Sequence, residues 1–449
     1  MPKIAARNRR VSATGNVATG ERTSAPAGTS TTSGPRAAQR ARRSLCCSAF
    51  VPAVISLVVV FATVGSTIPL FNTYRAEEGF SNGDISMTVV AYSGATLSTL
   101  LIFGRLSHHV GRRPVAIASL LLPAAGALVL LQVHHIGILI VGRMLMGIGA
   151  GLASSSLTAY IVDAAPAEPA WLASVASSQT VMLGLAVGAA TSGALVEFAP
   201  WPRDLVFLVE IVALLAAVAL IAVSRETAPR TPGAWRSLRP QVSAPPHVRH
   251  LLPTAAAVLL ATWATGSFYQ AFVPALVEGD LHTRSPLITG LVFAAYMASS
   301  AIGAPLGGRF GTVRAQRLGM VAFLVGMTGL IAAVTSGELP LFLAATALAG
   351  AGQGIAISST TRGLLHRSML TQRAPLFSAI YLLSYGGATV SALIAGDLAG
   401  TVALPQIATG YGLLALVATL ITLVAARPPR EPDRLNVRHQ PHHHVREIA

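Results

Sequence analysis

The chain has 449 residues, 53% of them hydrophobic and only 11% charged, with a mean hydropathy of +0.62. That is too little polar surface to cover a soluble globule, which places the chain in a bilayer. A formal net charge of +15 would point to nucleic acid in a soluble protein, so its meaning depends on where the charges sit.

Residues 1–48 are basic, rich in Ser, Thr, Gly and Ala, and lack apolar periodicity, so they read as a disordered tail. Cys46 and Cys47 are adjacent, poorly placed to staple a fold, and read as small apolar filler. A span needs about 20 mostly apolar residues to cross the hydrocarbon. That ruler predicts twelve, near 49–71, 85–107, 115–133, 137–162, 171–196 and 205–224, then 251–277, 286–308, 318–336, 339–361, 374–396 and 398–426. The expected fold is all-α and polytopic, with one six-helix bundle over 49–224 and another over 251–426. Residues 225–250 are Pro-rich and basic and read as a cytoplasmic linker, and 427–449 as a second cytoplasmic tail.

Positive loops stay in the cytoplasm, which makes the arrangement testable. With both termini inside, the tails, the turns after spans two, eight and ten, and the linker hold 28 of the 32 Lys and Arg. The other side holds Arg75, Arg203 and Arg284, and Arg143 lies within a span. The positive charge is therefore topogenic and implies no nucleic acid.

Two patterns recur about 200 residues apart. The basic turn Gly104-Arg-Leu-Ser-His108-His-Val-Gly111-Arg112-Arg113 returns as Leu306-Gly-Gly-Arg309-Phe-Gly-Thr-Val-Arg314. Gly147-Ile-Gly-Ala-Gly151 in span four returns as Gly350-Ala-Gly-Gln-Gly354 in span ten, at an offset of 203. The chain is a duplication, and the small residues let helix backbones approach closely.

These motifs resemble the signature turn and the fourth-helix motif of the major facilitator transporters. The resemblance implies two parallel six-helix halves with a substrate site between them near the midplane. It also implies a secondary transporter in a cell membrane, similar to bacterial drug and metabolite exporters. His108 stands where the family turn usually has Asp, so no gating carboxylate is expected there. Helix five, Gly184-x-x-x-Gly188, is similar to the antiporter motif without its proline, which fits uptake or facilitated diffusion as well as export. A non-transporting sensor or scaffold is the remote alternative.

An ionisable residue inside a span is a functional candidate by default. Arg143 lies about 9 Å inside span four and Glu210 about 8 Å inside span six, at 1.5 Å per residue. Arg143 is the candidate to bind an anion or to assist a carboxylate, and Glu210 is the candidate proton carrier. The gating turns contribute Gly104, His108, Gly111, Arg112, Arg113, Arg309 and Arg314. On helices that the resemblance assigns to the cavity, the polar and aromatic candidates are Thr63, Gln179, Trp263, Tyr269, Gln270, Tyr296, Gln353, Tyr381 and Tyr385. This nearly uncharged set suits an apolar or amphipathic small molecule held by stacking and a few hydrogen bonds. His442 to His444 lie adjacent on a tail and make no defined metal site. No nucleophile, carboxylate pair or metal cluster suggests an enzyme, and no phosphate-binding loop suggests ATP. A proton gradient is the expected energy source, a monomer the expected state, and no cofactor is expected.

Overall fold

The computed structural model describes residues 35–426 apart from 167, 170, 244 and 367, with side chains from Ala49 onward except at 171, 236, 247, 370, 371 and 374. The tail predicted over 427–449, with His442 to His444, and the first 34 residues lie outside the described residues. Every span lies in one compact unit that begins at Arg43. Residues 35–48 depart from the disorder expected over 1–48: they include strong helix formers such as Ala37, Ala38 and Arg40 and are helical.

Among the described residues, twelve helices are long and apolar enough to cross a membrane. The first six are α1 (Ala49–Glu78), α2 (Asn82–Phe103), α3 (Arg112–Leu130), α4 (Ile136–Ala164), α5 (Trp171–Phe198) and α6 (Asp204–Val223). The second six are α7 (Leu252–Ala271), α8 (Pro286–Leu306), α9 (Thr312–Ser336), α10 (Leu339–Leu365), α11 (Leu370–Leu398) and α12 (Leu404–Ala425). Helices satisfy their own backbone groups, as a hydrocarbon setting requires. Local chemistry sets several of their starts. Ser81 and Asp84 form a reciprocal cap at α2, the His135 ring accepts from Gly137 N–H at α4, and Ser285 followed by Pro286 opens α8.

Helix α7 departs from the sequence expectation of one continuous span over 251–277. It breaks at Phe272 and resumes as a short helix, Val273–Gly279. Pro274 has no N–H to offer the carbonyl of Gln270 four residues earlier, so the ladder cannot run through.

Packing repeats between the halves. Helix α4 packs on α2 and α3 as α10 packs on α8 and α9, and α3 meets α6 as α9 meets α12. Glycines make these contacts close: a Cβ on Gly147 would press on the Tyr92 carbonyl of α2, and one on Gly350 on the Tyr296 carbonyl of α8. Large apolar side chains such as Val212, Leu215, Leu420 and Val424 stay exposed on α6 and α12, as lipid-facing surface should.

The halves meet through α5 against α8 and α2 against α11. The side of the molecule bearing residues 79–81 and 280–285 is here the loop side, and that bearing 104–111 and 307–311 the turn side. Among the described residues, the polar contacts between the halves lie from mid-depth to the loop side. Asn72 donates to Pro274 O at 2.9 Å, Arg75 pairs with Glu278 at 3.6 Å, and Ser86 donates to Ala392 O at 2.6 Å. Ser93 and Thr389 share a bond of 2.8 Å, and the Glu197 carboxylate accepts from Ser285 and from Leu287 N–H. The structure is sealed on the loop side.

Candidate functional site

Helix α4 carries Arg143 into the seam between α1, α2 and α7, where its side chain has no solvent exposure. One guanidinium nitrogen donates to Thr67 Oγ1 at 2.8 Å and Val64 O at 3.2 Å. The other crosses the interface to Gln270 Oε1 at 3.2 Å, while Nε has no partner among the described residues. The guanidinium carbon lies 4.8 Å from the centre of the Tyr92 ring and 5.8 Å from that of Phe71. A charge in this position is tolerable because hydrogen bonds and ring faces replace water.

Glu210 on α6 is also buried, and neither of its carboxyl oxygens has a hydrogen-bond partner among the described residues. It lies within electrostatic reach of Arg143 and beside Ser66 of α1. An ionised carboxylate with no hydrogen bonds is costly in such surroundings.

Between the halves lies a cavity of about 50 Å³. The first half supplies Phe61, Tyr92, Ser93 and Met182 among others, and the second Trp263, Gln270, Gln353 and Tyr385. Trp263 and Tyr385 face each other with ring centres 4.5 Å apart. Arg143 stands one layer behind this wall and touches it through Tyr92 and Gln270.

Four of the nine cavity candidates named from sequence are thus on the wall: Trp263, Gln270, Gln353 and Tyr385. Thr63 is not, because its hydroxyl turns back on Val60 O of its own helix at 2.6 Å. Tyr269 and Tyr296 stack on each other at 4.0 Å in the core of the second half, where Tyr296 donates to Gln353. Gln179 sits on the turn-side part of α5, bonded to Ser178. Tyr381 lines a separate turn-side pocket of about 390 Å³, with Arg105, His108, Arg112 and Asp163.

The turn at 104–113 is built around carboxylates other than the missing Asp. Gly104 closes α2 by its N–H to Leu100 O. Arg112 is buried, paired with Asp163 of α4 at 3.0 Å and bonded to Ser107 at 2.8 Å. Glu226 accepts from the N–H groups of Arg112 and Arg113 at 2.8 and 3.0 Å, capping the start of α3 with a negative charge. Arg113 reaches the carbonyl of Ala222. Partial burial, with Arg112 alongside, holds the His108 imidazole below its usual 6.5, although Asp163 opposes the shift. Gly111 has φ +107°, and a Cβ there would lie 2.7 Å from Glu226 Oε2. Gly111→Ala is therefore expected to lose about 1–3 kcal/mol from backbone strain and a displaced cap, read as a lower melting temperature of the purified protein.

The second turn is a weaker copy. Arg309 and Arg314 are exposed, and Arg317 stands at the place of Arg113. It donates to Ala426 O at 2.8 Å as Arg113 donates to Ala222, an offset of 204 residues for both partners. Gln316, bonded to Thr360 at 3.2 Å, stands at the place of Arg112.

Several residues escaped the sequence reading: Glu226, Asn72, Glu278, and Arg105, which holds the linker through Ser237 O, Arg239 O and Gln241. A signal existed for Glu226, since an anion just past α6 suits the N-terminus of the neighbouring helix.

Twelve apolar helices in two repeated halves, closed on one side over a cavity between them, define a membrane transporter fold. The Major Facilitator Superfamily model matches residues 53–282, and the chain belongs to that superfamily. The nucleoside transporter NupG has the same fold, with a TM-score of 0.65 at 9% identity, over 84% of this chain and 99% of that one. The quinolone resistance protein NorA of Staphylococcus aureus is 20% identical over 187 residues, 42% of this chain and 48% of NorA. Monosaccharide-sensing protein 2 of Arabidopsis thaliana is 39% identical over 90 residues, 20% of this chain and 12% of that protein. The chain therefore matches about half, or less, of the length of these two relatives.

Proposed function

We propose that the protein is a proton-coupled exporter of small amphipathic compounds that works by alternating access. The observation that carries this reading is the placement of Arg143 directly behind a cavity wall drawn from both halves, with the buried Glu210 within its electrostatic reach. Proton binding at Glu210 would change the charge facing Arg143, and Arg143 is bonded to the second half through Gln270. A proton can thus bias how the halves meet. The excess of Lys and Arg supports a cell-membrane orientation with the turn side and both termini in the cytoplasm, in which the sealed loop side is the outer one. The quinolone resistance relative favours efflux of aromatic compounds. The monomer carries a complete cavity, and the proton gradient, with no bound cofactor, supplies the energy.

The test is transport in proteoliposomes, with lipophilic cations, neutral aromatic drugs and small metabolites, with and without a proton gradient. Substrate movement opposite to protons, lost in Glu210→Gln while downhill exchange survives, is the expected result. Movement with the protons would make the protein an uptake permease. Flux indifferent to both gradient and substitution would remove Glu210 from coupling.

A further inference from the structure

We propose that the central cavity recognises its substrate through an oxygen acceptor, and that Gln270 passes this contact on to Arg143. The inference rests on the cavity being the transport site and names the class of compound it takes. That class is a compact aromatic ring system bearing a carbonyl or carboxylate oxygen, not a lipophilic cation.

The polar groups left over on the wall carry the argument. Trp263 Nε1 is buried with no hydrogen-bond partner. A buried donor left unpaired is costly, and an indole N–H can only donate. Gln270 has its side-chain oxygen committed to Arg143, because a guanidinium offers donors alone. Its amide nitrogen, on a residue that lines the cavity, has no partner among the described residues. Both groups therefore ask for an acceptor. No Asp or Glu lines the cavity to balance a cation. The face of Tyr92 that would attract one is taken by Arg143, whose positive charge repels another. The tilted pair Trp263 and Tyr385 offers ring faces for stacking.

Gln270 joins two functions. It lines the cavity and holds the guanidinium, so a ligand oxygen drawing on its NH2 polarises the same amide whose oxygen Arg143 grips. Its position suits movement, since α7 breaks at Phe272, just beyond it. Substrate arrival can shift Gln270 without dragging an unbroken helix.

Three bicyclic probes of similar shape test this by calorimetric titration of the purified full chain. Chromone carries a ring carbonyl, naphthalene no polar group, and N-methylquinolinium a positive charge. Chromone is expected to bind most tightly. Gln270→Leu and Trp263→Phe should each weaken it about tenfold, the worth of one lost hydrogen bond, and leave naphthalene within about twofold. Gln270→Glu should reverse the preference in favour of N-methylquinolinium. In a double-mutant cycle, Arg143→Lys should weaken chromone binding in the wild type and add nothing in Gln270→Leu. Tightest binding of N-methylquinolinium to the wild type, chromone binding indifferent to both cavity variants, or no binding of any probe to monodisperse protein would overturn the substrate class. Additive losses in the cycle would overturn the link to Arg143. Loss of proton-driven flux in vesicles, with the chromone pattern intact, would defeat the exporter reading and leave this one standing.

Discussion

Replacing Arg143 by Leu is expected to stop transport while leaving the protein folded. In most cores, removing one partner of a buried charged group strands the other at a cost of about 3–5 kcal/mol. Here little is stranded, because Glu210 can take up a proton once its positive neighbour is gone. Thr67 keeps its bond to Val64 O at 3.0 Å, which also keeps that carbonyl satisfied. Gln270 Oε1 loses its donor but belongs to a residue on the cavity wall, where water can replace it. Arg143 itself leaves Nε unpaired, and a leucine has no charge to desolvate. The melting temperature should therefore change little, or rise.

Function should respond in the opposite sense. Without Arg143 an ionised Glu210 loses its buried positive neighbour, and the first half loses its charged link to α7. Proton-driven flux is expected to fall on the order of 100-fold, equivalent to about 2.7 kcal/mol. Arg143→Lys should fall between, since an ammonium keeps the charge but cannot span Thr67 and Gln270 with a planar fork. A variant that unfolds and recovers transport whenever it is refolded would show Arg143 to be a packing element.

Much of this was legible in the chain, for physical reasons. Hydrocarbon thickness forces each span to about 20 apolar residues, so twelve helices stand out as runs. Arg143 and Glu210 were visible because charges interrupt those runs. The two gating turns were visible as basic clusters between them, but their register was not. Matching the copies by Gly111 and Gly311 sets Val313 opposite Arg113 with Arg314 one residue further on, whereas carbonyl geometry pairs Arg113 with Arg317. Side-chain direction was hidden too. Tyr269 and Tyr385 look alike in sequence, yet one is spent on stacking with Tyr296 and the other lines the cavity. Asn72, Arg75 and Glu278 read as ordinary helix-end polarity, and only the meeting of α1 with the broken end of α7 gives them a shared role.

The second large effect is expected at Gly290, where α8 crosses α5 on the loop side. A Cβ there would overlap the Ala189 carbonyl and come within 3.3 Å of Pro69 Cγ. Backbone stands in its way on one side and a rigid ring on the other, so neither can swing aside as a flexible side chain would. Gly290→Val should oppose closure of the loop side by about 1–3 kcal/mol, the usual cost of overpacking, shifting the balance of states roughly 5- to 150-fold. In the alternating-access reading, opening separates these two helices and relieves the overlap, so the penalty is expected to fall on one state rather than on the fold. Ser86 reports the change: it is 1% exposed and bonded across the seam to Ala392 O. In a background with Cys46→Ser and Cys47→Ser, a Ser86→Cys thiol should react slowly with a membrane-impermeant maleimide. Adding Gly290→Val should speed that labelling by the same factor and slow net transport, because a transporter held open on one side cannot complete its cycle. Gly410→Val on α12, where a Cβ meets nothing within 4 Å, should do neither. Equal labelling in all three proteins would mean that the loop side is sealed by something other than the α5–α8 crossing.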